Sequence, residues 1–140
     1  MLQALKVEGF IYVNQKKKFD IMELIYTNND NANIIIQEFI ETSYRKDLRV
    51  FIIGGKVVGC TAFELTLEAE WMATEASRLL NLDVVGVDLL FGEDGIYLIC
   101  EANSLPQFHG QENVVGQRIA DDILDYVLVK NRYEIKNKRV

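Results

Sequence analysis

The stretch DVVGVDLLFGEDGIYLICEAN, residues 83–103, decides the fold. Two runs rich in β-branched and aromatic residues, DVVGVDLLF and IYLICEAN, flank a GEDG turn, a pattern that predicts an antiparallel strand pair. The second run ends in polar residues: Glu101 and Asn103 are two positions apart and so share one face of a strand. With the turn centred on Glu93-Asp94, facing residues sum to an odd number. Asp88 then lies opposite Ile99 and diagonal to Glu101. Gly86, Asp88, Ile99, Glu101 and Asn103 would share one face. Val85, Val87, Leu89, Leu98, Cys100 and Ala102 would form the other, which is apolar. An odd-numbered loop would turn Asp88 to the core face instead.

Two carboxylates and a carboxamide this close repel one another unless a positive group lies between them. All-oxygen ligation of that kind suits Mg²⁺, which takes one or two carboxylates and phosphate oxygens of a substrate. Gly86 would admit the close approach of a bulky ligand. A solvated acidic face is the plain alternative.

Outward from this hairpin, DLRVFIIGGKVVGCTAFEL (residues 47–65) holds two further β-rich runs around Gly54-Gly55, and glycine supplies the positive φ that tight turns need. Thr66 precedes the acidic turn of Glu68 and Glu70 and predicts a helix N-cap. Ala69, Met72, Ala73, Ala76, Leu79 and Leu80 form the apolar face of that helix, which ends near Asn81. A last helix is expected over residues 112–130, with Ile119, Ile123, Leu124 and Val127 inward. Near the N-terminus, GFIYVN reads as a strand and Asn14 as the cap of a helix carrying Phe19, Met22, Ile25 and Tyr26. TNNDNAN is a turn by composition, and IIIQEFI reads as a buried strand. Antiparallel hairpins mixed with helices give an α+β class.

At 140 residues and 49% hydrophobic, the chain can bury a core as one compact unit. No apolar run approaches the roughly 18 residues of a membrane span. The N-terminal MLQALKVEGF carries Lys6 and Glu8 where a signal peptide needs unbroken apolar residues, so a cytoplasmic protein without membrane partners is expected. Cys60 and Cys100 stand far apart and there is one histidine. That pattern excludes a zinc finger and reads the cysteines as small core residues. The net charge of −6 combines a basic C-terminus (Lys130, Arg132, Lys136, Lys138, Arg139) with an acidic body. The acidic body argues against nucleic acid as a partner.

QEFIETSYRKDLRVFIIGGKVVG (residues 37–59) followed by LDVVGVDLLFGEDGIYLICEANSLPQF (residues 82–108) resembles the C-terminal part of ATP-grasp ligases, most of all the RimK-like branch with its ribosomal-protein glutamate ligases. The motifs Q-E-F/Y-I, D-x-R-V, G-V-D and E-x-N-S-x-P occur in order. The resemblance implies an ATP-grasp fold: one unit over residues 1–140, with 1–40 a small lid-like subdomain and 41–140 a metal-binding subdomain. It implies that Asp88, Glu101 and Asn103 hold Mg²⁺ or Mn²⁺. Gln37, Glu38, Phe39 and Ile40 would hold adenine, and Asp47 would complete the nucleotide pocket through the ribose. Arg49 is left between facing phosphate or substrate and pairing with a carboxylate. Ser104 and Pro106 would shape the turn after the metal ligands, and His109 is expected at the surface. The implied chemistry is carboxylate–amine ligation: ATP converts an acid to an acyl phosphate, and an amine of an amino acid, peptide or protein attacks it. Such a reaction needs metals, positive donors and exclusion of water more than covalent help.

The sequence departs from that family at two internal places. ALKVEG runs into FIYVN without a glycine-rich phosphate loop, so Lys6 matches the phosphate-binding lysine only loosely. CTAFELT passes almost at once into the helix LEAEWMATEASRLL, where the family keeps a segment that reaches the phosphates. The resemblance covers no counterpart of the N-terminal domain that usually precedes this part of the family. The expectation divides accordingly between the pieces of a working ligase and a non-catalytic ATP-grasp-derived binding module. VFIIGGKVVGCTAFEL also looks like the central hairpin of an N-acetyltransferase, but QENVVGQRIA lacks the pyrophosphate loop that such an enzyme needs.

Overall fold

A computed structural model describes residues 37–61, 64–109, 112, 116 and 118–137. The expected strand at 9–14, helix at 15–26, turn at 27–33 and Lys6 lie outside the described residues. The chain divides into two compact units, Met1–Phe39 and Ile40–Val140, and the elements below belong to the second.

Four strands form one antiparallel sheet: β1 (Leu48–Ile53), β2 (Lys56–Cys60), β3 (Val84–Phe91) and β4 (Tyr97–Asn103), in the order β2-β1-β3-β4. They are accompanied by the long α-helices α1 (Leu67–Leu80) and α2 (Ile119–Asn137). The β1–β2 turn is the expected two-glycine hairpin, with Gly54 at φ 58° and Gly55 at φ 77°. Thr66 caps α1, its hydroxyl accepting from the Ala69 N–H at 3.2 Å. The helix stops at Asn81, which takes the left-handed conformation.

The two sheet faces differ. Leu48, Val50, Ile52, Val85, Val87 and Leu89 pack against Ala69, Ala73 and Ala76 of α1. The small alanine stripe lets the helix lie close to β-branched strand residues. On the opposite face Phe51 and Ile53 pack with Ile119, Ile123 and Tyr126 of α2, and with Phe108. Phe108 meets Phe51 edge-on, with ring centroids 6.1 Å apart.

Several expected inward residues are exposed. Leu79, Leu80, Leu124 and Val127 all face solvent. In α1 the buried stripe ends with Ala76 and Ser77, whose hydroxyl donates to the Leu82 carbonyl at 2.8 Å. In α2 the contacts follow Ile119, Ile123 and Tyr126, a helical stripe from which Leu124 and Val127 are rotated away. Residues 37–40 are not strand: they take no regular structure, and Gln37, Glu38 and Phe39 are exposed. None of the described helices is long and apolar enough to cross a membrane.

Candidate functional site

The site face of the sheet follows from strand register. In β1 and β3 the facing pairs are Ile53 with Val84, Phe51 with Gly86, and Arg49 with Asp88. Cross-strand partners share a face, so this row runs from the apolar end under α2 to a charged end. Midway, Pro106 sits over Gly86: a Cβ there would come within 2.9 Å of the proline Cβ. The glycine expected to admit a ligand instead admits the buried ring of Pro106.

The loop between β3 and β4 spans residues 92–96 and is odd-numbered. Near it Phe91 faces Tyr97, Leu90 faces Leu98 and Leu89 faces Ile99. The register then shifts between Asp88 and Leu89, so that Asp88 faces Glu101 directly and Gly86 faces Asn103. Cys100 is the extra residue of this bulge. The bulge undoes the parity of the loop: Asp88, Glu101 and Asn103 share a face after all. The correction falls on the residues nearer the turn. Ile99 goes with Leu89 to the α1 face, Leu98 leaves that face, and Cys100 is exposed rather than core.

Like charges directly opposed in a sheet destabilise it, and Asp88 is only 8% exposed. Arg49 supplies the offset. Its Nε donates to Asp88 Oδ1 and its Nη2 to Oδ2, both at 2.6 Å. This two-pronged fit of guanidinium to carboxylate is the strong form of the pair. The hydrogen bonding to Asp88 raises the Arg49 pKa above its ordinary value. Partial burial acts against that rise, and the nearby charges of Asp88, Asp47 and Glu101 add to it. Desolvation first, then the Asp88, Glu101 and Asp47 carboxylates, push the Cys100 thiol up, so it stays protonated at neutral pH and is a poor nucleophile.

Asn103 Oδ1 accepts the Leu105 N–H at 2.9 Å, closing the turn that carries Pro106 onto Gly86. This amide oxygen keeps a second lone pair. Glu101 is exposed, and Asp47 is exposed beside the start of β1. The segment before it is tied to the end of β3: Thr42 donates to the Phe91 carbonyl at 2.6 Å, and the Ser43 hydroxyl accepts the Phe91 N–H at 3.0 Å. His109 is exposed. Among the described residues no three His, Cys, Asp or Glu side chains cluster as metal ligands. The oxygen donors on the face are the two carboxylates and the Asn103 carboxamide, a set that fits a hard cation completed by ligand oxygens. The Arg49–Asp88 pair was left open by the sequence, and Tyr126 over the hairpin glycine was missed, because both are long-range contacts.

The sequence model of the RimK-like ATP-grasp domain matches residues 6–64 and 60–127. The probable alpha-L-glutamate ligase of Parasynechococcus marenigrum (strain WH8102) is 37% identical over 110 residues, covering 64% of this chain and 23% of that protein. Beta-citrylglutamate synthase B of Homo sapiens is 27% identical over 131 residues, 79% of this chain and 34% of that one. The structure of the ATP-grasp ligase PsnB complexed with a phosphomimetic variant of its minimal precursor, Mg and ADP superimposes with a TM-score of 0.58. It is 25% identical and covers 68% of this chain and 34% of that chain. A RiPP-associated ATP-grasp ligase of Chryseobacterium gregarium shares the fold with a TM-score of 0.62 at 20% identity, over 91% of this chain and 46% of that chain. The chain spans 23%, 33% and 38% of the length of three curated relatives. It belongs to the RimK-like ATP-grasp domain family.

Proposed function

We propose that this chain is the metal- and nucleotide-binding part of an ATP-dependent carboxylate–amine ligase. The observation that carries the reading is the bulged register that sets Asp88 against Glu101, with Asn103 next along the same face. Asp88, Glu101 and Asn103 would hold Mg²⁺ or Mn²⁺. The ion would neutralise phosphate charge as ATP is consumed. Gln37, Glu38, Phe39 and Ile40 would bind adenine through backbone groups and apolar cover; residues 37–39 are exposed and lie outside any strand. Asp47 would bind the ribose, and Arg49 and Lys6 are the cationic candidates for phosphate or substrate. Residues 1–40 take the lid-like role and residues 41–140 the metal-binding role. The acid would be activated as an acyl phosphate and joined to an amine. The PsnB structure holds a precursor variant, Mg and ADP, which favours a peptide or protein among the substrates, with glutamate addition as one form of the reaction.

A second reading, a non-catalytic ATP-grasp-derived binding module, is favoured by one feature. β2 ends at Cys60 and α1 begins at Leu67, which leaves residues 61–66 alone where a phosphate-covering segment would lie. Alanine substitution of Asp88, Glu101 or Asn103 separates the two. A ligase loses Mg²⁺-dependent ATP turnover in each variant. A binding module shows no such turnover before substitution and keeps its partner after it.

A further inference from the structure

Arg49 stands where the charge balance of the proposed metal site is decided. It faces Asp88 across β1 and β3, and its fork engages both carboxylate oxygens. Asp88 in turn faces Glu101 across β3 and β4, so one guanidinium stands in a row with two carboxylates. The Arg49 side chain is 30% exposed and that of Asp88 is 11% exposed. The Asp88 charge is therefore held mainly by protein rather than by water.

We propose that Arg49 is the built-in counter-cation of the site, so that the guanidinium and a divalent ion compete for Asp88. The inference rests on the reading of Asp88, Glu101 and Asn103 as ion-holding residues. Its physical basis is competition. A planar fork that meets a carboxylate edge-on uses the lone pair of each oxygen that faces it. A cation approaching that edge meets both an occupied lone pair and a like charge. The same contact fixes the orientation of Asp88 opposite Glu101. The displaced guanidinium remains on the site face, where it is a donor for an anionic group of nucleotide or substrate. Arg49 is thus a positioning residue in one state and a candidate anion ligand in the other.

The test is Mn²⁺ binding to the full chain, read from the free-ion resonance in electron paramagnetic titrations without nucleotide. Arg49→Met is expected to bind Mn²⁺ roughly tenfold more tightly than the parent chain, and the gain should vanish in the Arg49→Met/Asp88→Asn double variant. Equal affinity in parent and Arg49→Met, with Glu101→Gln weakened, would overturn the competition while leaving the ion site standing. No Mn²⁺ binding that depends on Glu101 or Asn103 in any of these chains would overturn both. Should Arg49→Met fail to fold, the parent chain still decides the matter by NMR, with the Arg49 Nε–H resonance assigned through its loss in Arg49→Lys. Mg²⁺ should shift that resonance and speed its exchange with solvent in step with the Glu101 and Asn103 amides. An Arg49 resonance that stays put while those amides saturate contradicts the inference.

Discussion

Arg49 and Asp88 face each other across β1 and β3, and the guanidinium closes on both carboxylate oxygens at 2.6 Å. Asp88 in turn faces Glu101 across β3 and β4. Three charged residues thus lie in one row across three strands, on the face opposite the buried Leu48 and Leu89.

The first prediction concerns that row. Arg49→Ala leaves a buried carboxylate unpaired and should lower stability by about 2–3 kcal/mol. Arg49→Lys keeps the charge but loses the fork, so a smaller loss of ~1 kcal/mol is expected. Urea denaturation midpoints measure both. Equal losses in the two variants would show that fork geometry is irrelevant.

Gly86 provides the second. A methyl group there would meet the Pro106 Cβ at 2.9 Å. Gly86→Ala should therefore cost about 1–3 kcal/mol and push the 104–106 turn outward, breaking the Asn103–Leu105 hydrogen bond. Loss of hydrogen-exchange protection at the Leu105 amide would report the break directly.

A third prediction comes from the far end of the same face. Tyr126 donates to Asp83 Oδ1 at 2.7 Å, and Lys130 pairs with Oδ2. The Tyr126 ring lies where a Cβ on Gly54 would fall, 2.4 Å from that position. Gly54 also has φ 58°, so Gly54→Ala suffers a clash and backbone strain together and should lose ~2–4 kcal/mol. A Gly54→Ala/Tyr126→Ala double variant should recover the part due to the clash, as thermal melts would show.

The Asp83 cluster also carries a pH signature. Lys130 first and Tyr126 second hold the Asp83 carboxyl below its ordinary 3.8. Stability from this interaction is therefore present above about pH 4 and is lost as pH falls through the depressed folded value. Hydrogen bonding to Asp83 raises the Tyr126 phenol above its ordinary 10.0, so its contribution is present below pH 10 and is lost as pH rises through the raised value. Tyr126→Phe should cost ~1 kcal/mol. The difference in Tm from the parent chain should be constant near neutrality and shrink at both extremes.

Much of this architecture was legible in the sequence because local chemistry set it. Gly54-Gly55 fixed a hairpin, Thr66 capped α1, and the alternating Val85, Val87 and Leu89 marked a buried strand face. Of the motifs behind the ATP-grasp resemblance, D-x-R-V, G-V-D and E-x-N-S-x-P lie in or overlap β1, β3 and β4, while Q-E-F-I lies outside any strand. The bulge at Cys100 was not legible. The five-residue loop alone would send Asp88 and Glu101 to opposite faces, and one unpaired residue restores them to one, with no composition signal at that position. The exposed Leu79, Leu80, Leu124 and Val127 misled because helical periodicity shows that a face is apolar but neither where the packing beneath it ends, as at Leu79 and Leu80, nor which stripe of it is packed, as at Leu124 and Val127. Pro106 over Gly86 and Tyr126 over Gly54 join residues distant in sequence, and nothing local announces them.

The most direct measurement is calorimetric titration of ADP into the full chain with and without Mg²⁺, repeated on Glu101→Gln and Asn103→Ala. If the Asp88–Glu101–Asn103 face holds a nucleotide-bound ion, Mg²⁺ should tighten ADP binding by about tenfold or more in the parent chain, and each substitution should remove most of that gain. ADP binding that is indifferent to Mg²⁺, or a Mg²⁺ effect that both variants keep in full, would contradict the account.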